Sequence, residues 1–235
     1  MYGWRARLGV VVPSRNIVTE PEFREMTPEG VSCHYHRISY QGGGVIDGLK
    51  KVREGLEDAT RLIMHVHPKA MAIVGTGISF AGGYGYDQQM IQQMKEINGN
   101  LPTTTTSSSV IDAFHKLGVK KVSMAMPYSE EVALAAVKFV EESGIEVLKK
   151  KWLAQTPATV PNDVVYSLAL EVDDSKSEAM FLPCMGWHTI EVIEKLECAL
   201  QKPVLSSSQA TMWNLLRLAN INDKIEGYGQ LLSKY

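Results

Sequence analysis

The chain has 235 residues, enough for one large domain or two small ones with a substantial core. Apolar content of 45% and charged content of 21% are ordinary for a soluble globular protein, and a net charge of −2 gives no electrostatic reason to expect nucleic acid or an anionic membrane as a partner. No stretch approaches a membrane span, the start lacks the long apolar core of a signal peptide, and the cysteines Cys33, Cys184 and Cys198 lack zinc or redox spacing, so a reduced, cytoplasmic protein is expected.

In chain order, "RLGVVV" reads as a strand that stops at Pro13, and "GVIDGLKKVREGLEDATRLIMHV" as a helix with apolar positions three and four apart. "AMAIVG" is a second buried strand, and "YDQQMIQQMKEING" a helix stopped by Asn-Gly. "SSSVIDAFHKLGV" follows as a helix capped by serine and ended by Gly118. Then "KKVSMAM" is a strand ending at Pro127, and "SEEVALAAVKFVEESG" a helix with a serine cap. "NDVVYSLALEVDD", "EAMFLPC" and "WHTIEVIEKLECAL" complete a helix, a strand and a helix. Alternation of this kind implies parallel sheets with helical crossovers.

The order repeats. "GVVVPSRN" answers to "VSMAMPYS", "AMAIVGTG" to "AMFLPCMG", and "LPTTTTSSSVIDAFHKLG" to "KPVLSSSQATMWNLLRLA". Three matches in one order predict an α/β protein of two pseudo-symmetric, Rossmann-like halves with the active site in the cleft between them. The expected divisions are 1–111, 112–208, and a segment 209–235 that returns to the first half. Ligands of parallel α/β sheets bind beyond the carboxyl ends of the strands, where both "VGTG" and "PCMG" fall.

Free cysteine is most often buried and inert, which suits Cys198, inside an amphipathic helix, and Cys33. Cys184 differs, because it sits where a strand breaks and a helix follows, a setting that predicts a dipole-stabilised thiolate. At the matching position the first half has Gly75. "VGTGIS" is either a glycine-rich turn or an anion cradle of the Thr76 hydroxyl with the amides of Thr76, Gly77 and Ile78. Tyr128 either reaches a ligand or stacks on Pro127, and Asn16 either meets a ligand or caps a helix. "QGGG", 41–44, reads as a flexible loop, though one well placed to cover a cleft. The pairs His34/His36 and His65/His67 lack a third ligand at metal spacing, so no metal is expected.

These residues carry a resemblance. "VVPSRN", "GTGISF", "TSSSVIDAFHKLGVKKV", "PYSEEV" and "PCMG" together resemble the aspartate/glutamate racemase superfamily, and within it the arylmalonate decarboxylase and maleate isomerase branch. The resemblance covers essentially the whole chain. It implies two pseudo-symmetric domains, no cofactor, a small carboxylic-acid substrate and a monomer or small homo-oligomer. Racemases and isomerases of the family usually have a cysteine in each half, whereas the decarboxylase keeps the second and has glycine at the first position, as at Gly75 here.

The implied reaction is therefore decarboxylation of a malonate-type dicarboxylic acid. Cys184 protonates the enediolate, and Thr76, Tyr128, Gly77 and the Cys184 and Met185 amides hold the oxyanion. Pro13 and Ile78 form an apolar wall, and Gly186 closes the "PCMG" run. The serine expected of the decarboxylase is Gly77 here, and "PSRN" looks like maleate isomerase, in which the residue matching Asn16 binds a carboxylate. Asn162 would match a second such asparagine. These departures favour a smaller and more polar acid than an aryl malonate, and the alternative is a maleate-type cis–trans isomerase or related racemase.

Overall fold

The computed structural model describes residues 2–40, 45–80 and 82–235, and among these the chain forms two four-stranded parallel sheets. The first sheet contains β1 (Ala6–Pro13), β2 (Val31–Ile38), β3 (Ala70–Ile73) and β4 (Thr103–Thr105), in the order β2-β1-β3-β4. Its helices are α1 (Thr19–Met26), α2 (Val45–Met64), α3 (Thr76–Phe80) and α4 (Tyr86–Asn98), and α5 (Thr106–Leu117) leads out of it. The second sheet contains β5 (Lys121–Met126), β6 (Glu146–Trp152), β7 (Ala179–Leu182) and β8 (Val204–Ser206), in the order β6-β5-β7-β8. With it come α6 (Glu130–Glu142), α7 (Asn162–Val172), α8 (Ile190–Leu200) and α9 (Ser207–Leu218), and α10 (Gln230–Lys234) ends the chain. The "QGGG" segment lies outside the described residues.

The two sheets share one strand order, and their matching segments share one layout. Strands β3 and β7 start at the matched Ala70 and Ala179, and β4 and β8 follow the matched Pro102 and Pro203. The central strands are buried along almost their whole length, because helices cover both faces of a parallel sheet. The edges are treated differently. The outer strand β6 carries Lys149, Lys150 and Lys151 exposed in a row, which discourages pairing with another sheet.

Helices α5 and α9 pack on each other and join the halves. The apolar interior is continuous across them, from Val74, Phe80 and Phe114 to Phe181, Leu182 and Leu215. Phe114 meets Phe181 edge-on at 5.4 Å between ring centres, a favoured aromatic geometry. The tail touches both halves. Asp223 pairs with Arg5 of the first, while the amides of Gly227 and Gln230 donate to Glu194 and Glu197 of the second. No helix of the described residues is long and apolar enough to cross a membrane.

Two cap expectations are corrected. The cap of α5 is the Thr105 hydroxyl, which accepts from the Ser108 amide at 3.1 Å, and not a serine of the "SSS" run. Ser129 does precede α6, but its side chain makes no capping bond.

Candidate active site

Pro13, Gly75, Tyr128 and Cys184 all stand at or just past the carboxyl ends of central strands. The two glycine/cysteine junctions have the same backbone. Gly75 has φ 135° and Cys184 has φ 129°, both in the region that favours glycine. The Gly75 amide donates to the Thr106 hydroxyl at 3.0 Å, and the Cys184 amide to the Ser207 hydroxyl at 3.1 Å. Thr106 and Ser207 are the first residues of α5 and α9, so each half pins its junction with the helix that follows its last strand. A cysteine held at this φ carries about 1–3 kcal/mol of backbone strain, of the kind that clusters at functional sites.

The thiol of Cys184 is buried, with 8% of the residue exposed. Burial pushes it up to about 11, against the pull of the Gly186 amide and the Tyr128 hydroxyl. The Gly186 amide donates to the sulfur at 3.4 Å. The expected dipole-stabilised thiolate is thus corrected: five residues, 185–189, separate Cys184 from the start of α8, and desolvation outweighs the amide. At neutral pH this group is a proton-bearing thiol.

Tyr128 places its hydroxyl against the Cys184 thiol and the Thr76 hydroxyl, and burial makes it a far weaker acid than a free phenol. The hydroxyl is buried yet closes no hydrogen bond of ordinary geometry among the described residues. A buried unpartnered donor costs about 1–3 kcal/mol and is therefore poised for a ligand acceptor. The ring packs edge-on against Phe80 at 6.3 Å. Thr76 donates to Ser207 at 2.8 Å, a bond that crosses from the first half to the second. Ser207 thus receives both Thr76 and the Cys184 amide, and sequence reasoning missed it. Its signal was available in the match of "TTTTSSS" to "VLSSSQ", which sets Ser207 opposite Thr106. The Cys184 amide, committed to Ser207, is removed from the expected oxyanion donors.

Gly77 and Ile78 lie in the first turn of α3, where amides have no intrahelical acceptor. A side chain at Gly77 would meet nothing within 4 Å, so the place of the expected serine is open. Ile78 stands over Gly75, with its side-chain carbons 3.0–3.3 Å from where a Cβ at 75 would lie. The position equivalent to the thiol is therefore covered by an apolar side chain. Asn16 does two things: its carbonyl oxygen accepts from the Val18 and Thr19 amides at 2.9 Å, and its amide donates to the Met185 carbonyl at 3.0 Å. Gly186 lies against Pro157 and the Cys184 sulfur. Asn162, at the start of α7, donates to Glu191 of α8 in an exposed pair. A broad surface cavity of about 850 Å³, lined by Tyr2, Trp4, Cys33 and Tyr35, contains none of these groups.

A single thiol, an unpartnered phenol and free helix-opening amides at the strand ends can bind a carboxylate and move one proton. The chain is 29% identical to the arylmalonate decarboxylase of Bordetella bronchiseptica over 80% of this chain and 81% of that one. It is 22% identical to the maleate isomerase of Geobacillus stearothermophilus over 97% of both. The structure of the maleate isomerase Iso from Pseudomonas putida S16 superposes with a TM-score of 0.91 at 21% identity, covering 97% of this chain and 98% of that one. A liganded double variant of arylmalonate decarboxylase, glycine to cysteine and cysteine to serine, superposes with a TM-score of 0.89 at 25% identity, covering 98% and 100%. A family profile described as arylmalonate decarboxylase matches residues 8–232, so the chain belongs to the arylmalonate decarboxylase family, within the branch of the aspartate/glutamate racemase superfamily that also holds the maleate isomerases.

Proposed function

We propose that the protein is a cofactor-independent decarboxylase of a malonate-type dicarboxylic acid. The observation that carries the reading is the one-sided site: a protonated thiol at Cys184 and an apolar wall, Ile78 over Gly75, at the equivalent place opposite. The bond from the α-carbon to the departing carboxyl breaks, its electron pair stays on carbon, and CO₂ leaves from the apolar side formed by Pro13 and Ile78. The remaining carboxyl becomes an enediolate. Tyr128 and the amides of Gly77, Ile78 and Met185 hold its charge, and Thr76 joins them by turning its proton away from Ser207. One such donor is worth about 3–4 kcal/mol of barrier. The Cys184 thiol then gives its proton to the carbon from one face, and water restores the thiol.

A second reading is favoured by a different observation. Asn16 reaches the Met185 carbonyl beside the thiol, and the maleate isomerase relative aligns over nearly the full chain. In a maleate-type isomerase Cys184 adds as thiolate to the double bond, rotation follows and the thiolate leaves. Asn16 and Asn162 would then hold the two carboxylates, which for Asn162 requires leaving Glu191. Proton NMR in deuterated buffer separates the two. Small malonates should lose CO₂ and gain one deuterium at the α-carbon, whereas formation of fumarate from maleate with no malonate turnover would transfer the assignment to the isomerase.

A further inference from the structure

The loop that carries the thiol, residues 183–189, is held largely from outside. Within it a single backbone hydrogen bond closes among the described residues, from the Trp187 amide to the Cys184 carbonyl. The matching stretch of the first half instead contains α3, a helical turn. The first half reaches across to make up the difference. Asn16 and Thr19 both donate to the Met185 carbonyl, at 3.0 and 3.3 Å. Glu22, on α1 and only 4% exposed, accepts from the Thr189 amide at 2.9 Å and the Ile190 amide at 3.3 Å, the groups that open α8. Its other oxygen has no partner among the described residues, and Ser208 of α9 faces the carboxyl. Counting from the strand-closing Pro13 and Pro127, the position of the second half that matches Glu22 is Ala136, a buried methyl group.

We propose that Glu22 is a positioning residue for Cys184: by capping α8 from the opposite half it fixes the loop that aims the thiol, so that thiol placement depends on the two halves being closed on each other. This rests on the reading of Cys184 as the reacting group. The carboxyl and the thiol also sense each other. Burial pushes Glu22 up to about 7, and its charge contributes to holding the thiol protonated.

Three variants of the full chain test the proposal, each read by turnover and by mass-spectrometric mapping of Cys184 alkylation with iodoacetamide, well below the melting temperature. Glu22→Ala removes the cap, Glu22→Gln keeps an acceptor oxygen at the same reach, and Glu22→Asp keeps the charge but falls short of the amides. Glu22→Ala should lower kcat about tenfold or more with KM within about threefold, because a small misplacement of the reacting group is costly. It should also alkylate at Cys184 several-fold faster, as the loop loosens. Glu22→Gln should return both readouts close to wild type. Wild-type behaviour of a folded Glu22→Ala protein, or Glu22→Gln as impaired as Glu22→Ala, overturns the proposal. If Glu22→Ala does not fold, Glu22→Asp decides: it should be impaired, and wild-type turnover and alkylation would overturn the assignment. The alkylation arm needs no substrate, so inactivity toward malonates and maleate would count against the proposed function while thiol reactivity still judges Glu22.

Discussion

The two strand-to-helix junctions are one device used twice with different contents. At Gly75 and at Cys184 the chain takes the same positive φ, and the hydroxyl of the first residue of α5 or α9, the helix after each half's last strand, receives the junction amide. Thr105 and Ser206 cap those helices in the same manner, accepting from the amides of Ser108 and Gln209 at 3.1 and 3.2 Å. At the junction residues themselves the side chains differ: a thiol in one place, a hydrogen under Ile78 in the other. The backbone that presents a thiol therefore exists independently of the thiol. On the proposed decarboxylation, the filling of one junction alone would make the chemistry one-sided, and a single proton donor would give a single product hand.

The largest effect expected follows from emptying the filled junction. Cys184→Ala should abolish turnover, a loss of about 10²–10⁴ for a general acid alone, with the fold unchanged in circular dichroism. Activity within a few-fold of wild type would end both enzymatic readings. Tyr128→Phe should come next, lowering kcat by about 10² or more with little change in KM, since it deletes one unpartnered donor without altering shape. An unchanged kcat would remove Tyr128 from the site.

The halves also differ in charge, and pH exposes that. Glu22 faces Glu25 on its own helix, Cys184 on the opposed loop and the amides that open α8. Burial raises it from 4.5 to about 7 in the folded chain. The carboxyl's contribution is therefore fully present below about pH 4.5 and is lost as pH rises through about 7, by about 3 kcal/mol in all. Glu22→Gln should match wild type in denaturant unfolding near pH 4.5 and exceed it in stability at pH 8. A difference that does not grow with pH would show that the carboxyl is not strained by burial. A smaller effect separates the two pinning hydroxyls. Thr106→Ala should cost about 1–3 kcal/mol for the orphaned Gly75 amide, and Ser207→Ala at least as much because it frees both the Cys184 amide and the Thr76 hydroxyl, but only Ser207→Ala should also slow turnover. Equal kinetic losses would mean that the two junctions contribute alike.

The strand breaks were legible because each ends an apolar run with glycine, cysteine or proline, and the repeat of three such signals exposed the two halves. Four strands were not legible. In β4, "TTT" reads as helix-capping residues, since Ser and Thr compete for local backbone bonds. β8 is three residues long, and the outer strands β2 and β6 carry histidines, arginine and lysines that mask their alternation. Among site residues, Cys184 and Gly75 announced themselves through the strand break they share. Ser207 lay within a serine run with nothing to single it out except its match to Thr106. Nothing in the sequence singles out Glu22, because its burial is created by the other half. Local sequence at Cys184 likewise shows a nearby helix start but not the walls that desolvate the sulfur and keep it a thiol.

The smallest signal is expected from filling the empty junction. Gly75→Cys would set a second thiol on the opposite face of the reacting carbon, so one sulfur could take the α-proton of the decarboxylated product and the other return it. The backbone costs about 1–3 kcal/mol of strain, which the fold already bears at Cys184, a cysteine at φ 129° where Gly75 has 135°. The obstacle is Ile78, whose Cδ1 lies 3.0 Å from the new Cβ. Ile78→Val removes that carbon, and the double variant should exceed Gly75→Cys alone. The gain stays small since proton abstraction needs a thiolate, and the apolar setting that pushes Cys184 to about 11 acts on a neighbouring thiol as well. Exchange should therefore rise with pH across the neutral range. One product enantiomer, incubated in deuterated buffer with the folded double variant, should take up deuterium and lose chiral purity at matching rates, while decarboxylation falls as the pocket is crowded. Deuterium uptake with chirality retained would mean that only one thiol reaches the carbon, and neither change would show that the two junctions do not face one substrate.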